Sequence, residues 1–165
     1  MTNIELAQAL AFANRLVHFE LQRVVVGPST GSIVGLYFGL AQSLVETSPW
    51  YVGLSCSWRV EGAEGLLACS SDDNAAGGPM QAGLEELRGQ VVASVAIVPP
   101  GFDLVVNFER GQRLIGFADN LEEARLCWYI SDSEERVVSV EPAGRLCYEA
   151  PAPGVAEPSA PQSLG

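Results

Sequence analysis

A chain of 165 residues with 48% hydrophobic and 18% charged residues has the balance of one globular domain with a real core, and a second domain is not expected. The net charge is −11 and every basic residue is arginine, which excludes a Schiff-base or P-loop lysine and sets the surface against the nucleic-acid backbone. No apolar run approaches the ~20 residues that span a bilayer, and the start lacks the pattern of a signal peptide, so a cytoplasmic protein away from membranes is predicted.

From the N-terminus, Thr2 with Glu5 three residues later has the form of a capping box, and Leu6, Leu10, Ala13 and Val17 follow at helical spacing. A helix over Asn3 to Leu16 is predicted. His18, the one histidine, falls just past it and has no evident partner, which makes it a structural residue. The pattern then changes to strands: FELQRVVVG from Phe19, turn formers Pro28 to Gly31, and SIVGLYFGL, read as a hairpin. Trp50 to Glu61 reads as a single strand with Trp50, Val52, Leu54, Cys56, Trp58 and Val60 on one buried face. LLACS is expected to return through a turn at Gly62 and Ala63, bringing Trp58 opposite Leu67 and Cys56 opposite Cys69.

Ser70 to Gly83 reads as a polar, Gly-rich loop. Its Asp72, Asp73 and Asn74 lack the alternating ligands and closing glutamate of a calcium loop. LEELRG is a short helical turn, and VVASVAIV is an apolar strand that looks covered on both faces and ends at PPG. LVVNFERGQRLIGF, Leu104 to Phe117, is a hairpin. Pairing Phe108 with Arg113, Val106 with Ile115 and Leu104 with Phe117 collects the most apolar cross-strand neighbours, on a four-residue loop with Gly111 in the left-handed position. A three-residue loop, with Val106 opposite Leu114 and Leu104 opposite Gly116, is the poorer match. Strands RLCWYI, RVVSV and RLCYE follow around the acidic turn SDSEE and a turn at Pro142 to Gly144.

Residues 1–150 therefore form one α+β domain, an N-terminal helix packed on a curved, mainly antiparallel sheet of about eight or nine short strands, and residues 151–165 a disordered Pro/Ala/Ser-rich tail. Cys56, Cys69, Cys127 and Cys147 show no Cys-x-x-Cys spacing, so buried thiols are expected, with no metal and no cofactor. No nucleophile elbow, zinc-protease helix or dinucleotide-binding glycine pattern occurs, and a non-enzymatic protein is the reading. Trp50, Trp58 and Trp128 fall on buried faces and are read as core.

Trp58 and Arg59 on one strand, the Phe108, Gly111 and Leu114 hairpin, and then Glu122 and Trp128 resemble a group of small bacterial proteins of the immunity-protein type. That resemblance implies no catalytic residues. It fits a module that neutralises a basic, toxin-like protein through acidic surface, with Glu122, Glu123, Asp132, Glu134 and Glu135 as partner-binding residues. The alternative is a protein that sequesters a nucleotide-like small molecule with Arg59 and Arg113 on strand walls.

Overall fold

The computed structural model describes residues 1–40, 49–119 and 126–151. In chain order the elements are β1 (Thr2–Asn3), α1 (Leu6–Ala13) with a 3₁₀ turn (Asn14–Leu16), β2 (Glu20–Gly27), β3 (Gly31–Gly39), β4 (Trp50–Leu54), β5 (Trp58–Gly62) and β6 (Gly65–Cys69). They continue with α2 (Pro79–Glu85), β7 (Val92–Val98), β8 (Asp103–Phe108), β9 (Arg113–Gly116), β10 (Trp128–Asp132), β11 (Val137–Glu141) and β12 (Arg145–Glu149). The expected antiparallel character holds, but the strands form two sheets rather than one curved sheet of eight or nine. Seven strands run in the order β1-β12-β11-β10-β4-β3-β2 and five in the order β6-β5-β9-β8-β7.

The predicted strand Trp50 to Glu61 is in fact two strands, one in each sheet. It breaks at Ser55–Ser57, where the Ser55 and Cys56 N–H groups both donate to the Cys127 carbonyl. Side-chain parity survives the break, so Trp50, Val52, Leu54, Cys56, Trp58 and Val60 all enter the single core between the sheets. Two buried indoles tie the layers. Trp58 Nε1 donates to the Ser32 carbonyl at 2.7 Å and Trp128 Nε1 to the Phe102 carbonyl at 2.8 Å, so each ring is buried without orphaning its N–H. At one edge the sheets are stitched together, because Leu21 N–H donates to Gln90 O and Val92 N–H to Phe19 O.

α1 starts later than predicted. Thr2 and Asn3 pair with Tyr148 and Cys147 of β12, and the Gln8 side chain accepts from the Glu5 N–H at 3.0 Å, so the cap lies three residues downstream of the Thr2–Glu5 box. Its buried face is Ala9, Phe12 and Ala13, one position round from the predicted stripe, and Leu6, Leu10 and Val17 are half-buried. α2 takes in residues assigned to the loop, because Gly78 followed by Pro79 is a helix start. A side chain at Gly83 would meet Ala68 and the Leu67 carbonyl of β6, which is why glycine sits inside this helix.

Two registers differ from expectation. β6 meets β5 with Ala68 opposite Val60 and Cys69 opposite Arg59, after a bulge, so Cys56 and Cys69 are not paired. In the β8–β9 hairpin, Val106 faces Leu114 and Leu104 faces Gly116 on a three-residue loop. The cause is Gly116: a Cβ there would lie 2.9 Å from Leu54 Cδ2, so the glycine gives room to a side chain of the other sheet. Gly111 has the expected left-handed conformation, at φ +89°. β7 buries one face only, since Ala93, Ser94 and Val98 are exposed. His18 is a structural turn residue at φ +74° whose N–H donates to Val92 O.

Candidate functional site

The acidic turn between β10 and β11 is built around Asp132. Its Oδ1 accepts the backbone N–H groups of Glu134 and Arg136 at 3.0 and 3.1 Å, and its Oδ2 accepts Arg136 Nε at 2.8 Å and Nη2 at 2.6 Å. Burial alone would raise the Asp132 carboxyl, but the bonds from Arg136 and Glu134 outweigh it and hold the group below the usual range. With 3% of its side chain exposed, Asp132 braces the turn from inside and offers almost no surface of its own. The brace turns Glu134 and Glu135 outward. Glu134 pairs with Arg136 Nη1 at 3.0 Å, and Glu135, at φ +59°, has no ion pair among the described residues. Glu122 and Glu123 lie outside the described residues.

Arg59 and Arg113 are neighbours on β5 and β9, as the pocket-wall reading requires, but Glu61 stands between them. Arg59 Nε bonds Glu61 Oε1 at 2.6 Å and Arg113 Nε bonds Oε2. The hydrogen bond from Arg113, above all, holds the Glu61 carboxyl below its ordinary range. The adjoining hollow of about 430 Å³ is lined by Arg59, Glu61, Gly62, Ala63, Gly65 and Leu66, with Arg113 outside it. A phosphate there would compete with a carboxylate already in place, so the arrangement does not favour a nucleotide.

A second hollow was missed in the sequence. α1 and β12 enclose an open cleft of about 380 Å³ lined by Ile4, Gln8, Ala11, Phe12, Arg15 and Tyr148. Arg15 follows Phe12 by three residues, so the two share a helix face. That spacing is the signal that was available. The cleft adjoins the acidic turn, since Arg15 Nη1 lies 3.4 Å from Asp132 Oδ2.

None of the four cysteines is in a disulfide. Burial first, and Cys127 beside it second, push the Cys56 thiol up to about 12, which leaves it protonated and inert. Asp72 and Asp73 accept backbone N–H groups of Cys69 and Ala75 within their own turn, and Asn74 donates to Gly31 O at the start of β3. Among the described residues no cluster of three His, Cys, Asp or Glu fits a metal, and no helix is long and apolar enough to cross a membrane. No family model, curated protein or solved structure matches the chain.

Proposed function

We propose that this protein is a non-enzymatic acidic binding module, immunity- or antitoxin-like, that neutralises a basic protein partner. The observation that supports it is the braced turn, where one buried carboxylate fixes the backbone and two glutamates project into solvent without first having to be ordered. The balance of ion pairs points the same way. Arg15, Arg59, Arg88, Arg113, Arg136 and Arg145 each pair with a carboxylate of this chain, whereas the exposed Glu5, Glu64, Glu86, Glu109, Glu135 and Glu149 have no ion pair among the described residues. Unpaired surface anions steer and orient a basic partner.

The test is capture from the protein's own cell lysate at stepped ionic strength, beside the charge reversal Glu134→Lys with Glu135→Lys. The expected result is a basic protein retained at low salt, released as salt rises, and lost from the folded double variant. An acidic captive, or capture indifferent to salt and to the reversal, overturns the reading.

A further inference from the structure

We propose that the cleft between α1 and β12 binds a small apolar carboxylate, with its acid group on the Arg15 guanidinium. At about 380 Å³ the cleft has the size of a small-molecule site, which typically runs from about 300 to 1,000 Å³. Ile4, Ala11, Phe12 and the Tyr148 ring supply apolar wall, and Phe12 and Tyr148 hold one another edge to face with centroids 6.3 Å apart. Among the described residues Arg15 is the one charged side chain lining it. Its guanidinium lies 5.6 Å from the Phe12 ring centroid and 5.2 Å from that of Trp50, and 47% of the side chain is exposed.

The donors are largely unspent. Of the five N–H groups of Arg15, one makes a long contact of 3.4 Å to Asp132, and the others meet no acceptor among the described residues. Asp132 does not depend on that contact, because Arg136 bonds it at 2.6 and 2.8 Å. The Arg15 fork can therefore turn to a ligand without stranding a buried charge. A planar fork matches a carboxylate in two-point contact. The net charge of −11 favours a monoanion over a phosphate dianion, and the apolar wall calls for an aryl or alkyl body. This site stands independently of the acidic-partner reading.

Calorimetric titration and amide chemical shifts of the full chain, with 4-phenylbutyrate, octanoate and neutral 4-phenylbutyramide, test it and separate aryl from alkyl sources. At least one acid should bind with a Kd near or below about 1 mM and shift residues 8–15 and 148, with the amide about tenfold weaker or more. Arg15→Gln should erase the preference for acid over amide, and Ala11→Phe should fill the cleft and block both. Should Arg15→Gln melt early, Arg15→Lys keeps the charge and loses the fork, and the same loss of preference is expected. Acids that fail to bind, acid and amide binding alike, shifts elsewhere, or a preference that survives both Arg15 variants would each overturn the assignment.

Discussion

Removing the Asp132 carboxylate should destabilise the protein in a way that separates its two jobs. Its Oδ1 accepts two backbone N–H groups, from Glu134 and Arg136. A hydrogen bond to a charged acceptor contributes about 1.5 kcal/mol at the low end, so the pair sums to about 3 kcal/mol. The Arg136 guanidinium reaches solvent, so the ion pair is screened and adds little to that sum. Asp132→Ala loses both bonds, and at about 2–4 °C per kcal/mol for a chain of this size the melting midpoint should fall by about 6–12 °C. Asp132→Asn keeps the Oδ1 acceptor for the two backbone N–H groups but loses the charge and sets an amide donor where Oδ2 accepted Arg136, so a loss of about 1–2 kcal/mol, smaller than for alanine, is expected. The pH dependence has a definite sign. A carboxyl held below its unfolded value of about 4 stabilises fully above that pH and progressively less as pH falls through the folded value. The gap between wild type and Asp132→Asn should therefore close in acid. Urea and thermal melts from neutral pH to about pH 3 measure this. An alanine variant melting within about 2 °C of wild type, asparagine as damaging as alanine, or a gap that persists in acid would refute the bracing argument.

The thiols make a second test. Cys56, with its pKa pushed up to about 12, should resist iodoacetamide in the native protein while the half-exposed Cys69 labels first, and peptide mass spectrometry after timed labelling reads the order. A third concerns the outer face of the seven-stranded sheet, where the Tyr129 ring lies directly over Gly53 and the Tyr51 ring over Gly35. Gly53→Ala should cost about 1–3 kcal/mol by collision with Tyr129, and adding Tyr129→Leu should relieve part of it, so urea melts of the double variant should show less than the sum of the single losses.

Which side chains face inward was legible wherever alternation carried it. Trp50 to Val60 came out with the right residues inside because a pleat alternates whichever sheet it belongs to. The same parity hid the change of sheet at Ser55–Ser57. Nothing in a period-two pattern records that the Cys127 carbonyl draws two successive N–H groups there. The β8–β9 register failed for a related reason. Counting apolar cross-strand neighbours treats Gly116 as a gap, but its empty side is occupied by Leu54 from the opposite layer, a contact between residues far apart in sequence. At the candidate sites the sequence pattern set Glu134 and Glu135 in a turn and Arg59 and Arg113 on strands, which is where they lie. Their pairing was not visible, because Asp132 as a brace and Glu61 as a bridge depend on distances across strands.

The acidic residues behind the charge of −11 divide by side-chain length into two structural settings. Asp72, Asp73, Asp103, Asp119 and Asp132, every aspartate in the chain, accept a backbone N–H, from Cys69, Ala75, Ala118, Ser57 and the Glu134–Arg136 turn respectively. A carboxylate one methylene from the backbone reaches turn amides. A glutamate, one methylene longer, carries its charge past them toward solvent or arginine, and Glu61, Glu85, Glu134 and Glu141 are the ones that arginines hold. A scale of net charge alone counts these groups as equal, yet they answer to different experiments. Neutralising a single turn aspartate should lower the melting midpoint, whereas neutralising Glu135 should leave the midpoint unmoved, although each removes one charge and weakens long-range attraction to a basic protein to a similar small extent.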